Sequence, residues 1–229
     1  MFKKIVLSAA ITCLVVSVGY SKVTKEDFEK SSLKGWEIEG KAEISTEQKH
    51  GGQKALKVIQ GAKVKWLLET EDKFGDVSMW VYNSAVGRKA RNNCDGPTWG
   101  IINSDGDYFK IGTVSRVPQS PISWGNLYFS SSLDNIYSWW YLGGETGVFS
   151  TKGWHKVVFS KPDAESIEVT VDEAPASALS MEMCKYETGF IGLIFSGGAG
   201  AGKEGDKKAE AWTGNNEIFF YDDIEINMK

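Results

Sequence analysis

Residues 217–226 read Glu-Ile-Phe-Phe-Tyr-Asp-Asp-Ile-Glu-Ile. Ile218, Phe220, Ile224 and Ile226 share one parity, and Phe219, Tyr221, Asp223 and Glu225 share the other. Alternation at a period of two predicts a strand with one apolar face turned to a core. On that reading Asp222 falls on the inward side. A buried carboxylate without a partner is costly, or stays protonated. Asp222 is therefore expected to have a fixed partner: a cation first, with main-chain amides or a lysine as the alternatives.

The rest of the chain repeats the pattern in short pieces. Alternating runs separated by Gly, Asn, Asp and Ser predict strands at 36–44, 55–59, 64–69, 77–82, 98–102, 108–111, 124–129, 137–141, 154–159, 167–171 and 190–195. Residues 174–183 are the one weak helical candidate. Many short strands at close spacing predict an all-β antiparallel sandwich of jelly-roll type. No internal repeat and no linker divides it, so residues 22–229 are expected to form one domain.

Residues 1–21 carry a basic start (Lys3, Lys4), an apolar run from Ile5 to Val18 and small residues at Gly19 and Ser21. That is the pattern of a secretory signal peptide, so the chain is expected to be exported after cleavage, periplasmic or extracellular, with no membrane span. A net charge of −4 gives no sign of nucleic-acid binding. Beyond the leader lie Cys94 and Cys184, which pair or stay as free thiols. Gly197–Lys203 imitates a phosphate loop, but Glu204 stands where Ser or Thr belongs and no helix is predicted after it. A mobile loop is the expectation.

Both ends carry a resemblance. Asp27-Phe28-Glu29, Gly35-Trp36 and His50-Gly51-Gly52-Gln53-Lys54-Ala55-Leu56-Lys57-Val58 stand at the start, and Asp222-Asp223-Ile224 at the finish. The set resembles jelly-roll carbohydrate-binding modules of the family 4/9 and 22 kind. Gly153-Trp154-His155-Lys156-Val157-Val158-Phe159 with Ile167–Asp172 resembles the paired strands of concanavalin-like, laminin-G-like lectin domains. The resemblance implies a structural Ca²⁺ tying the first strand to the last. Glu29 and Asp222 would give side-chain oxygens, and the Gly52–Lys54 turn would give carbonyls. Calcium tolerates such a mixed oxygen set. Gly52 and Ala55 depart from the serines common in that group. His155 lies inside its strand and is expected to be packed or at an edge.

Nine Trp and eight Tyr suit a sandwich with aromatic surfaces. In Trp124-Gly125-Asn126-Leu127-Tyr128-Phe129, Leu127 and Phe129 suit a core, while Trp124, Asn126 and Tyr128 share the other face. Flat rings stack on the C–H faces of sugars and amides bond the hydroxyls, so this face is the expected oligo- or polysaccharide site. Residues 137–141 (Tyr-Ser-Trp-Trp-Tyr) hold rings on both parities. Trp99 and Trp139 are expected as neighbours of the site. Arg88 and Arg91 would meet an acidic sugar.

Glycosidases need two carboxyls facing across a cleft. Glu37 and Glu39 have the spacing, but in a strand that the resemblance places away from the binding face. Asp223 and Glu225 share the outward parity of the last strand, where solvated carboxylates are ordinary. Three readings follow: a secreted glycan-binding sandwich first, a polysaccharide lyase or glycoside hydrolase on the same fold second, and a cell-surface adhesion or structural domain third.

Overall fold

The computed structural model describes residues 22–30, 32–59, 61–68, 70–83, 94–115, 127–133, 136–141, 153–175, 186–197 and 218–229. Its strands are β1 (Lys22–Glu26), β2 (Trp36–Glu39), β3 (Ala42–Ser45), β4 (Ala55–Ile59), β5 (Lys63–Leu67), β6 (Gly75–Asn83), β7 (Cys94–Ile102) and β8 (Tyr108–Ser115). They continue as β9 (Leu127–Leu133), β10 (Ile136–Tyr141), β11 (Gly153–Lys161), β12 (Glu168–Val171), β13 (Ala174–Pro175), β14 (Gly192–Ser196) and β15 (Ile218–Met228). The described residues contain no helix, and none is long and apolar enough to cross a membrane. The expected helical candidate begins instead as β13, and positions 176–183 lie outside the described residues. The signal-peptide expectation (1–21) and the phosphate-loop imitation after Gly197 (198–203) lie outside them as well.

The strands form two antiparallel sheets. The eight-stranded sheet runs β13-β12-β11-β6-β15-β4-β3, with β1 also paired to β15. The seven-stranded sheet runs β10-β9-β8-β7-β14-β5-β2. They pack face to face through alternate residues: Val77, Met79, Val81, Val157 and Phe159 from one sheet meet Val64, Trp99, Ile101, Phe109, Ile111 and Phe195 from the other. Phe109 meets Phe159 edge-on at 6.2 Å, and Phe195 meets Tyr221 at 4.7 Å. This is the expected all-β jelly-roll sandwich.

Strand β15 departs from simple alternation. Tyr221 stands opposite Val81 and Asp222 opposite Trp80, and the ladder resumes with Glu225 opposite Ser78. Asp223 and Ile224 together oppose Met79, which is a β-bulge, and Asp223 takes φ +45°. Phe219 and Tyr221 before the bulge, and Ile224 and Ile226 after it, all reach the core. The single inward parity expected for Ile218, Phe220, Asp222, Ile224 and Ile226 is thus corrected: Phe220 and Asp222 lie on the outer face of the sheet. The bulge falls where β15 changes partners, from β4 (through Tyr221) to β1 (from Ile224).

Candidate functional site

The partner change leaves a gap, and the turn at residues 46–54 fills it. Asp222 is wholly buried, at 0% exposure. Its Oδ2 accepts from the amides of His50 (2.9 Å) and Gly51 (3.2 Å), and its Oδ1 accepts from the amide of Asp223 (2.9 Å). Burial pushes the Asp222 carboxyl up to about 6, against the three amides that favour the charged form. Glu29 is held by the same turn. Its Oε1 accepts from the amides of Gln53 (2.6 Å) and Lys54 (3.0 Å), and Lys54 Nζ donates to the Glu29 carbonyl (2.8 Å). Gly52 is at φ +54°, and a Cβ there would run into Glu29 Oε1. This explains glycine at that position.

The partner that Asp222 needs is therefore supplied by main-chain amides. As placed, the set does not fit Ca²⁺. A cation needs converging oxygens, whereas Glu29 and Asp222 here receive N–H groups, with an ammonium beside Glu29. Among the described residues no group of three or more His, Cys, Asp or Glu is placed to hold a metal ion.

Above this junction lies an aromatic cluster on the outer face of the eight-stranded sheet. Trp80 and Tyr82 occupy the non-core parity of β6, and Trp154 stands opposite Tyr82 on β11. The His50 ring stacks on Trp80 at 3.7 Å and 15°. Trp154 meets His50 at 5.7 Å and Tyr82 at 5.4 Å, both edge-on, and Tyr82 meets Phe220 at 6.1 Å. His50 Nδ1 lies 2.7 Å from Asp223 Oδ2, with the two side chains 30% and 37% exposed. A carboxylate only accepts, so Nδ1 carries the proton that binds Asp223. Asp223 is thus not the ordinary solvated carboxylate expected, whereas Glu225 is one, paired with Lys25 at 2.7 Å near solvent. This cluster was missed in the sequence, although the alternation of Trp80 and Tyr82 with Val77, Met79 and Val81 signals it.

The expected sugar site belongs to the other sheet. Tyr128 pairs with Gly112 on β8 and Tyr141 on β10, and Trp139 pairs with Ser130. Gly112 pairs in turn with Thr98. Tyr128 and Trp139 thus share one face, and Tyr108, Tyr137 and Tyr141 occupy the same face by register. Phe129 and Trp140 fall on the opposite, core-facing parity, aligned with Ile111 and Trp99. Trp99 is a correction: at 2% exposure it is a core residue, 6.0 Å from Tyr221, and does not lie on the face expected to bind sugar. Its parity with Ile101 carries it inward. Trp124, Asn126, Arg88 and Arg91 lie outside the described residues.

Thr98, Gly100 and Ile194 share this parity and are buried. Thr98 Oγ1 has no hydrogen-bond partner among the described residues. Lys110 Nζ sits 4.4 Å from the centroid of Tyr108.

The remaining candidates are structural. Glu37 and Glu39 face Lys65 (3.6 Å) and Lys63 (4.0 Å) as exposed pairs. His155 is packed, its Nδ1 2.6 Å from Asp172 Oδ2.

No protein-family model matches the chain, and no curated protein sequence matches it. Solved structures match its fold. A glycoside hydrolase family 16 endo-glucanase from Bacteroides ovatus, in complex with G4G3G-2F-DNP, aligns at 12% identity and a TM-score of 0.62, over 89% of this chain and 99% of that one. The T. cruzi calreticulin globular domain aligns at 12% identity and 0.56, over 91% and 88%. The laminarinase catalytic domain from Thermotoga maritima MSB8 aligns at 13% and 0.52, over 91% and 98%. At such identities the likeness is one of fold: the chain is similar to these concanavalin-like jelly-roll sandwiches.

Proposed function

We propose that this chain is an exported carbohydrate-binding β-sandwich that holds an oligo- or polysaccharide on the outer face of the seven-stranded sheet. The observation that carries this reading is the register of β8, β9 and β10. It gathers Tyr108, Tyr128, Tyr137, Trp139 and Tyr141 on one non-core face, interleaved with Ser130 and Ser132. Positions two residues apart along a strand are roughly 7 Å apart, a spacing on the scale of a sugar ring. Serines at the positions between them suit sugar hydroxyls. Trp124 and Asn126 share sequence parity with Tyr128 and extend the proposal, with Arg88 and Arg91 as its contacts to an acidic sugar. The fold is shared with an endo-glucanase and a laminarinase, so β-glucans are the first probes.

The test is a glycan array on the purified protein, followed by titration of each hit with Trp fluorescence as the readout. Specific binding without change in the glycan supports the reading. Release of reducing ends makes the chain a hydrolase, and release of unsaturated ends absorbing in the ultraviolet makes it a lyase. A blank array from a folded protein overturns the reading and favours an adhesion or structural domain.

A further inference from the structure

We infer that the chain carries a second saccharide-binding platform, on the outer face of the eight-stranded sheet, built from Trp154, Tyr82, Trp80 and His50. The inference rests on the glycan reading above and adds a site to it.

Three observations support it. First, the half-buried rings of Trp80, Tyr82 and Trp154 are gathered on the solvent side of the sheet, where strand alternation ordinarily places polar residues. The core does not need them, because Val77, Met79, Val81 and Val157 already cover the inner side of the same strands. Second, the cluster is fixed in advance. His50 is clamped between the face of Trp80 and the carboxylate of Asp223, and the turn bearing it is held by Asp222 and Glu29. Asp223 is presented to it by the β-bulge, with a left-handed backbone. Third, the rings are edged by hydrogen-bonding groups: His50, Asp223, and Lys156, which stands opposite Trp80. Flat apolar surface ringed by donors and acceptors matches a hydroxyl-bearing ring with C–H faces better than it matches a wholly apolar partner. His50 covers one face of Trp80, so Trp154 and Tyr82 are the stacking surfaces, with His50 and Asp223 as the polar contacts.

Two platforms on opposite sheets let one domain hold two glycan chains. The experiment is calorimetric titration of the whole protein with a mixed-linkage β-glucan tetrasaccharide, with light scattering of long β-glucan in parallel. Two sites per chain are expected, one lost in Trp154→Ala and the other in Trp139→Ala, and each single variant should lose the ability to cross-link the polymer. His50→Gln, which leaves Trp154 in place, should weaken the second site about tenfold, the loss of one good contact. Thermal melting shows whether each variant is folded. One site per chain, untouched by Trp154→Ala and His50→Gln but lost in Trp139→Ala, overturns this inference and leaves the first site standing. Binding that survives Trp139→Ala and disappears in Trp154→Ala overturns the first site and keeps this one. No binding to the tetrasaccharide or to any arrayed glycan overturns both.

Discussion

The two outer faces of the sandwich both carry aromatic residues, but they are built in different ways. On the eight-stranded sheet the rings touch one another and are locked from the side by a turn. Two sets of its polar groups pair with each other: His50 with Asp223, and Lys57 with Glu43 and Glu47. On the seven-stranded sheet the aromatic positions follow three consecutive strands as a band with serines between them. The first face is compact, local and dependent on a bulge and a turn far apart in sequence. The second follows from strand pairing alone. A glycan would meet a small preformed patch on one side and an extended track on the other.

The largest effect should separate core rings from surface rings. Trp99→Ala empties a fully packed site and should destabilise the protein by about 3–5 kcal/mol in urea unfolding. Trp139→Ala should leave stability nearly unchanged. Equal losses would place Trp139 in the core and remove the band from the comparison.

Next in size is a pH effect on the compact face alone. Asp222 has a folded pKa of about 6 against an ordinary 3.8. The folded state therefore holds this proton more tightly than the unfolded one. The contribution is fully present below about pH 4 and fades as pH rises through about 6, by up to about 3 kcal/mol. Urea unfolding between pH 4 and 7 should show this slope in the wild type and not in Asp222→Asn. Parallel curves would mean that Asp222 is charged throughout.

Gly52→Ala should cost on the order of 2 kcal/mol, because alanine is strained at a left-handed φ and its methyl group meets the Glu29 carboxylate. The turn carrying His50 should loosen and the Trp80 emission should change, while glycan affinity at the band stays as it was. An unchanged spectrum would detach the turn from the aromatic cluster. The smallest expected effect is that of calcium. With amides serving Glu29 and Asp222, chelator and added Ca²⁺ should leave the melting temperature where it is. A rise with calcium that Asp222→Ala abolishes would restore the ion expected from the resemblance.

The strands were legible because alternation is local. β4 reads directly from Ala55-Leu56-Lys57-Val58-Ile59, with its bounds as observed. The bulge was not legible: an extra residue shifts parity, and only the partner strand reveals it. Two adjacent aspartates inside an apolar run were the available sign, since Asp tolerates a positive φ. That shift moved Asp222 off the inward parity while leaving it buried; the need for a partner was legible, and of the partners considered the main-chain amides are the ones in place. Trp99 was misread for want of its neighbours, although Trp99 and Ile101 share a parity. The cluster of Trp80, Tyr82, Trp154 and His50 joins residues whose proximity depends on the pairing of β6 with β11 and on a distant turn. Spacing along the chain does not encode that.

The proposed glycan site is the band on β8, β9 and β10. The most direct measurement is titration of wild type and Trp139→Ala with a glycan that the wild type binds, at matched folded stability. Trp139→Ala should lose about 1–3 kcal/mol in binding, ten- to hundredfold in Kd. Unchanged affinity in a folded Trp139→Ala protein would contradict it.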